Sequence, residues 1–293
     1  MEQFINKIKH KLPLHGIILL LIPLLMLPLM PPQDMAKKAH AGNEVRLPIL
    51  MYHQLTKEPS RVCDHCITAR QFESDLDELI KLGYTTVSMA QVIAFCELGT
   101  PLPPKPIVIS FDDGFEAFYV YGFPMLKQRG MKAVLAVIGE ETERFTQTED
   151  RRLKYSSSTW PQLKEMSDSG LVEIESHSWN LHSKKGGRLG AMKKNCESTE
   201  EYLALLTNDV EKMRTEFKNN GLPDFSVYVY PYGRFSSETS EILSSLGVRA
   251  IFLCDSRVNV LRAGDTDVLM RLKRFNRAPG TFYFDDNVLL AVR

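Results

Sequence analysis

The stretch IVISFDDG, residues 107–114, is an apolar run that ends in two adjacent carboxylates and a glycine. Its β-branched residues fit a strand covered on both faces, as in a parallel sheet. Asp112 and Asp113 would repel each other at the end of such a strand, and their desolvation is costly. A nearby cation would remove most of that cost, which predicts one Asp on a metal and the other free as a base. An ordinary Asp-Gly turn after a strand is the alternative that this stretch leaves open.

A second polar cluster, ESHSWNLH at residues 175–182, follows the strand-like run LVEI of residues 171–174. Two histidines and one Asp form a facial ligand set that leaves positions open for water and substrate. His177 and His182 are five residues apart, whereas residues on one helix face are three or four apart. This spacing predicts a loop that wraps around an ion.

The two clusters together resemble the motifs of the polysaccharide deacetylases, carbohydrate esterase family 4. SFDDG at residues 110–114 resembles the first motif, residues 177–182 resemble the second, and YPYG at residues 230–233 resembles the third. The resemblance extends from about residue 47 to residue 277. It implies an α/β fold in the form of a distorted (β/α)7 barrel, with one divalent metal ion as cofactor.

Two departures from the common family pattern indicate one branch of the family. The histidines are five apart rather than four, and Val227 stands four residues before the Pro, where the third motif usually has an Arg. Both features resemble the circularly permuted exopolysaccharide deacetylases that act on poly-β-1,6-N-acetylglucosamine. In that branch the catalytic His lies on the first strand, and here LPILMYH, residues 47–53, ends in His53. Arg274 would then replace the missing Arg.

The resemblance implies a metal site and a base. Asp113, His177 and His182 would hold the metal, with zinc as the first choice and cobalt, nickel, manganese or iron also compatible. The metal would polarise the amide carbonyl and lower the pKa of bound water. Asp112 would take the proton from that water as it attacks.

The remaining candidate residues surround this centre. His53 would protonate the leaving amine, which leaves poorly when unprotonated. Arg274 would orient Asp112 and restrain its pKa, although both His53 and Arg274 could be strand-end residues with no catalytic role. Trp179 and Tyr232 are candidate substrate-binding residues, because an aromatic ring beside a metal ligand can stack on a sugar. Either could instead form a wall of the ligand loop, an interpretation favoured for Trp179.

Strand and helix patterns alternate along the chain, which predicts a parallel sheet. Catalytic residues at several strand ends favour a closed or nearly closed barrel. The polar stretches 140–158 and 183–195 are predicted to be inserted loops. Helices are predicted over residues 71–82, 89–98, 118–129, 160–169, 198–219 and 238–246, and further strands over 84–87, 131–138, 227–230 and 249–253.

The N-terminus predicts export. Three lysines precede the apolar run GIILLLIPLLMLPLM of residues 16–30, and a small-residue site, AHA, lies at residues 39–41. This is the pattern of a secretory signal peptide, and the run is short for a spanning helix. We expect residues 1–44 to be a signal peptide or membrane anchor plus linker, with cleavage favoured, and residues 45–293 to be the catalytic domain. Both alternatives place that domain outside the cytoplasm, with membrane contact only through the N-terminal segment.

Charge and cysteine content exclude some function classes. Lys+Arg and Asp+Glu both total 36, so no net charge favours a nucleic-acid partner. A monomer is expected. The chain has five cysteines, and Cys63 and Cys66 could form a local disulfide or, with weaker support, part of a zinc site.

The sequence therefore predicts an exported, metal-dependent polysaccharide N-deacetylase. It would hydrolyse the acetamide of N-acetylglucosamine units in a cell-surface or extracellular glycan and release acetate. Peptidoglycan deacetylation or O-acetyl (xylan-type) ester hydrolysis at the same site remains an alternative. A catalytically silent glycan-binding protein is the alternative from another class.

Overall fold

The predicted strand at residues 107–114 belongs to a curled parallel sheet in the computed structural model, which describes residues 44–148 and 151–280. The strands of this part of the chain are β1 (Val45–Leu47), β2 (Ile49–Tyr52), β3 (Gln54–Thr56), β4 (Cys66–Thr68), β5 (Thr85–Thr86), β6 (Pro106–Phe111), β7 (Ala133–Val137), β8 (Val172–Ser176), β9 (Val227–Val229), β10 (Ala250–Phe252), β11 (Asn259–Leu261) and β12 (Phe275–Asn276).

Seven strands follow one another around the curl in the order β10-β9-β8-β7-β6-β2-β12, and β5 pairs with the start of β6. All these pairings are parallel. The two ends of the row approach each other just before β12, where the Leu272 N–H donates to the Ile251 carbonyl at 2.9 Å and the Leu253 N–H donates to the Leu272 carbonyl at 2.8 Å. The expectation of an α/β fold with a distorted seven-stranded barrel is confirmed.

Helices connect most of these strands and cover the outside of the sheet. They are α1 (Ala69–Lys81), α2 (Met89–Leu98), α3 (Phe123–Arg129), α4 (Gly139–Gln147), α5 (Trp160–Asp168), α6 (Thr199–Asn219) and α7 (Thr239–Ser245). The predicted capping box of Ser198 and Glu201 is present at the start of α6, and equivalent boxes start α1, α2 and α5. These caps satisfy backbone N–H groups that the first turn leaves free, so each helix begins at its box.

Two predicted segments differ from the structure. Helix α4 begins at Gly139 and extends to Gln147, into the stretch 140–158 that was predicted to be a loop. It was not predicted because it buries only Gly139, Thr142 and Phe145 in a polar sequence. The predicted helix 118–129 begins as a π-helical turn at Phe118–Gly122 and continues as α3. Pro124 lies in the first turn of α3, where no backbone donor is needed.

The alternation along each strand divides the core into two clusters. Ile109 and Phe111 of β6 pack with the covering helices, whereas Val108 packs inside the curl with residues of β7, β9 and β10. The same alternation turns Ser110 and Asp112, the residue that follows β6, toward the inside of the curl. Strand-end polar groups from neighbouring strands therefore converge at the carboxyl-terminal mouth of the barrel.

The predicted signal or anchor segment with its linker, residues 1–44, lies outside the described residues apart from its last residue. Within the described ranges, no helix has both the length and the apolar character needed to cross a membrane.

Candidate active site

The candidate residues come together where parallel strands end. Asp112 and Asp113 follow β6, His177 follows β8, and His53 follows β2, all at the carboxyl-terminal mouth. Tyr232 lies in a short 3-10 helix, Pro231–Gly233, directly after β9. Because the carboxyl ends of parallel strands meet at one edge, residues far apart in the sequence share this mouth.

A left-handed turn separates the two adjacent carboxylates. Asp113 has φ 68° and Gly114 also has φ 68°. A Cβ at Gly114 would lie 3.0 Å from Cγ1 of Val137, so a glycine is required here for space as well as for conformation. The turn directs Asp112 toward the barrel interior and Asp113 toward the histidine loop, so the two side chains have different partners.

Asp113, His177 and His182 form a ligand cluster. Oδ1 of Asp113 lies 3.4 Å from Nε2 of each histidine, and the three ligand atoms lie within 4.8 Å of one another. Nδ1 of His177 lies 2.9 Å from the Val229 carbonyl. If Nδ1 carries the proton and donates it there, Nε2 is left as an acceptor facing a carboxylate.

The environment of this cluster fits a cation. Oδ1 of Asp113 is buried and has no hydrogen-bond donor among the described residues. Burial lowers the pKa of His182, and the neighbouring His177 lowers it further. Burial also opposes a charge on His177, but the Asp113 carboxylate, 3.4 Å away, and the charge of Asp112 leave its pKa raised. One carboxylate oxygen and two imidazole nitrogens that converge in this way would be satisfied by a divalent metal ion.

Asp112 is held by a buried arginine. Nη1 of Arg274 donates to Oδ1 at 2.6 Å and Nη2 donates to Oδ2 at 2.8 Å, in a bidentate pair. Arg274 also donates to the Leu253 carbonyl and to Oγ of Ser110. Burial alone would raise the pKa of Asp112, but the charge and hydrogen bonds of Arg274 hold it far below its ordinary value. Asp112 is therefore ionised throughout the physiological pH range.

His53 faces Asp112 from the neighbouring strand. Its Nε2 lies 4.0 Å from Oδ2 of Asp112, and its buried Nδ1 has no hydrogen-bond partner among the described residues. Burial lowers the pKa of His53, and the charge of Asp112 opposes this effect. The ring of His65 lies 4.5 Å away, centroid to centroid, at the outer side of the site. His53 is thus placed to exchange a proton with a group bound between it and the ligand cluster.

These groups line one cavity of about 670 Å³. Tyr232 stands at its rim with 39% of its surface exposed, its ring 4.2 Å from that of His182. The ammonium of Lys184 lies 5.3 Å from the Tyr232 ring centroid and also faces the cavity. A cavity of this size with an aromatic rim can accept a sugar residue.

Trp179 does not line the cavity. Its ring lies over Gly139, so closely that a Cβ there would be 2.3 Å from Cε3 of the ring. The ammonium of Lys212 lies 4.9 Å from a ring centroid of Trp179. The loop turns this side chain toward α4 and α6, a position that fits the wall role favoured for Trp179 from the sequence; its assignment as a substrate-binding residue stays a prediction.

Sequence reasoning missed Asp209, the residue that anchors the histidine loop. Its carboxylate accepts the backbone N–H groups of Trp179 and Asn180, both at 3.0 Å. Asp209 lies on the buried face of α6, beside Leu206 and Val210. An acidic residue at an apolar position of a helix was the available signal.

The cysteines take no part in the cluster. All five are free thiols in the structure. Cys63 and Cys66 close a tight turn, in which each backbone N–H donates to the other residue's carbonyl at 3.0 and 2.9 Å. This turn carries His65 at the cavity, so the Cys-x-x-Cys spacing forms a tight turn with two free thiols.

Comparisons with known proteins agree with this geometry. A family model described as polysaccharide deacetylase matches residues 99–251. The chain is 31% identical over 195 residues to a poly-beta-1,6-N-acetyl-D-glucosamine N-deacetylase of Escherichia coli (strain K12), over 59% of this chain and 29% of that protein. The chain thus spans less than a third of that relative's length.

Two solved structures are similar over nearly their whole length. One is a de-N-acetylase from Aggregatibacter actinomycetemcomitans, with a TM-score of 0.69 and 27% identity, over 82% of this chain and 97% of that one. The other is IcaB from Ammonifex degensii, with a TM-score of 0.65 and 27% identity, over 80% of this chain and 92% of that one.

Proposed function

The chain belongs to the polysaccharide deacetylase family, and from this premise we propose that it is a metal-dependent N-deacetylase of an N-acetylglucosamine polymer. The observation that carries the proposal is that two adjacent carboxylates have different partners and can therefore perform different tasks. Asp113 faces two histidines in an unsatisfied acceptor cluster, while Asp112 is bound by Arg274 and kept ionised. A hydrolase that activates water needs these two functions side by side.

The residues of the site have separate tasks in hydrolysis. A divalent ion held by Asp113, His177 and His182 would supply a Lewis acid for the acetamide carbonyl and would acidify water. Asp112 accepts the proton of the attacking water, and Arg274 fixes both carboxylate oxygens so that one geometry is kept. His53, across the cavity, gives a proton to the nitrogen as the C–N bond breaks, since an amine leaves only when protonated.

The names of the relatives support the choice of substrate. Both the Escherichia coli relative and the Aggregatibacter structure are called N-deacetylases or de-N-acetylases. We therefore propose β-1,6-linked N-acetylglucosamine as the first polymer to test. Tyr232 at the rim offers a ring on which a sugar can rest. Monomeric state, absence of a nucleic-acid partner and action at the extracellular face are proposals that rest on the sequence patterns alone.

The first experiment measures acetate release from β-1,6- and β-1,4-linked N-acetylglucosamine oligomers and from peptidoglycan. The protein is treated with a chelator and then supplied with zinc, cobalt or nickel. Two matched variants divide the roles: Asp112→Asn should keep the metal but lose turnover, and Asp113→Asn should lose the metal. Metal-restored release with this split supports the proposal, and metal binding without release from any glycan would favour a silent glycan-binding protein.

A second experiment tests the proton donor. His53→Ala should reduce acetate release from an N-acetylated oligomer by at least about a hundredfold, the range of one general acid. The same variant should lose much less activity on an aryl acetate ester, because a phenolate leaves without prior protonation. An equal loss on both substrates would contradict the assignment of His53 as the acid.

A further inference from the structure

The strand β12 is flanked by a buried ion pair on each face of the sheet. Arg274 comes directly before β12 and Arg277 directly after it. The two arginines are three residues apart, so strand alternation turns them to opposite faces. Arg274 meets Asp112 inside the barrel, whereas Arg277 meets Asp75 on the buried face of α1. Two ion pairs therefore hold one two-residue strand from both sides.

The outer of these pairs is bidentate and buried. Nε of Arg277 donates to Oδ2 of Asp75 at 2.8 Å, and Nη2 donates to Oδ1 at 3.0 Å. The hydroxyl of Tyr52 donates to Oδ2 of the same carboxylate at 3.1 Å. Burial raises the pKa of Asp75, and the hydrogen bonds and charge of Arg277 limit this rise. Because a planar guanidinium with two bonds to one carboxylate fixes both distance and angle, the pair positions the segments that carry it.

The backbone pairing of β12 is short. Its register pairs Phe275 with Leu50 and Asn276 with Met51 of β2. A slip by one residue would turn every side chain of β12 to the opposite face, and Arg274 would leave its carboxylate. The outer ion pair opposes such a slip, because the slip would leave both of its charges buried and unpaired.

Asp75 also bonds to the strand that leads to the proposed acid. Tyr52, which donates to it, is the residue directly before His53. The ring of Tyr52 stacks on that of Phe111 in β6, with centroids 5.0 Å apart and an angle of 17°. The two carboxylates of the site follow β6. Asp75 therefore links α1 with β2 and β12, the strands next to the proposed acid and to the arginine that holds the base.

Resting on the proposed function, we propose that Asp75 is a positioning residue for the hydrolysis. Asp75 does not line the cavity, so it acts through other residues. With Arg277 it holds β12 in the register that keeps Arg274 bidentate on Asp112, and the base thereby keeps one geometry. Loss of the Asp75 carboxylate therefore lowers kcat but leaves KM and the bound metal unchanged.

The first test is a double-mutant cycle on acetate release from N-acetylglucosamine oligomers. Asp75→Asn should lower kcat about tenfold, since a displacement of about 1 Å at a catalytic group can cost about a hundredfold. In an Arg274→Lys background, where the bidentate contact is already lost, the same change should lower kcat less than about twofold. Asp77→Asn, at an exposed carboxylate of α1 that pairs with Arg129, is the matched control and should leave kcat unchanged. Equal losses in both backgrounds would overturn the inference, because the carboxylate would then not act through Arg274.

A variant without the buried charges separates positioning from stability. The triple change Tyr52→Phe, Asp75→Leu and Arg277→Met replaces three polar groups by apolar groups of similar size, which often leaves the stability at a buried ion pair unchanged. This variant should keep the Tm of the wild type and still lose kcat as Asp75→Asn does. Wild-type kcat in the folded triple variant would overturn the inference.

An NMR measurement separates failure of this inference from failure of the proposed function. In protein with isotope-labelled arginine, the buried Nη–H groups of Arg274 should be protected from exchange with water, and Arg274→Lys assigns their signals by their loss. Asp75→Asn should speed this exchange at least about tenfold, whether or not acetate is released from any glycan. Unchanged exchange would overturn the inference even in an active enzyme. Faster exchange in a protein that releases no acetate would support the positioning role and count against the proposed function alone.

Discussion

Replacement of Asp209 by Asn tests how the histidine loop is anchored. Burial raises the pKa of Asp209 from its ordinary value of 3.8 to about 6, although the N–H groups of Trp179 and Asn180 partly offset this rise. Asp209 has no cationic partner among the described residues. Above pH 6 the folded protein therefore carries a buried carboxylate that the unfolded chain would keep in water.

The sign of the effect follows from the two pKa values. Between about pH 4 and pH 6 the folded state retains the Asp209 proton that the unfolded state has lost, so stability falls as the pH rises. A shift of about two pKa units corresponds to about 3 kcal/mol over the full titration. The window from pH 4 to pH 7 contains about 2 kcal/mol of it, because the unfolded carboxyl is already half ionised at pH 4.

The assay is urea unfolding of wild type and Asp209→Asn at several pH values between 4 and 7, with a chelator and a thiol reductant present. The free energy of unfolding of the wild type, minus that of the variant, should fall by about 2 kcal/mol across this window. An offset at all pH values is expected, because the Asn amide can accept only one of the two N–H groups well. The slope is therefore the diagnostic quantity.

Asp168→Asn, at an exposed carboxylate that pairs with Lys164, controls for the loss of one acidic group. A difference between wild type and Asp209→Asn that does not change with pH would refute the argument. A rise in the relative stability of the wild type toward pH 7 would also refute it, because it would mean that the charged form of Asp209 is favoured by the fold.

Three further predictions follow from the same contacts. Arg274→Met leaves the buried carboxylate it binds without a partner, so urea unfolding should show a loss of about 3–5 kcal/mol, and a loss below about 1 kcal/mol would mean that water replaces the guanidinium. His182→Ala should retain the far-UV circular dichroism spectrum but lose bound metal after dialysis, and full metal occupancy by elemental analysis would contradict the ligand set. Gly114→Ala combines left-handed backbone strain with a steric clash, so it should destabilise the fold by about 2 kcal/mol more than Gly130→Ala, where φ is +62° and no atom lies within 4 Å of the added Cβ. Equal thermal destabilisation of the two variants would mean that the clash at Gly114 costs nothing.

Much of the fold could be predicted because its signals are local. The β-branched run of β6 and its neighbours indicated a buried parallel sheet, and the Ser198 capping box marked the start of α6 at the observed residue. Helix α4 was missed because its sequence is mostly polar and it buries only Gly139, Thr142 and Phe145. Local signals fail where a helix forms mainly through contacts with distant residues.

The candidate site, like the fold, could be predicted only in part from the sequence. The residues after β6 and β8 could be paired from the sequence because parallel strands end at one edge. The resemblance brought in His53 and Arg274. The bidentate contact of Arg274 with Asp112, two residues 162 positions apart in the sequence, became visible only in the folded chain. Trp179 lies only two residues after His177 in the sequence, yet its side chain packs on Gly139.

By itself, the sequence determined which residue types stand at the strand ends and which chemistry they can perform. Strand alternation and helix capping act between residues a few positions apart, so the spacing of residue types along the sequence reveals them. Only the tertiary structure decided that Asp209 is buried beneath the histidine loop, with no cationic partner among the described residues. The burial and the pKa of a side chain depend on how remote segments pack together, and that packing is a property of the whole folded chain.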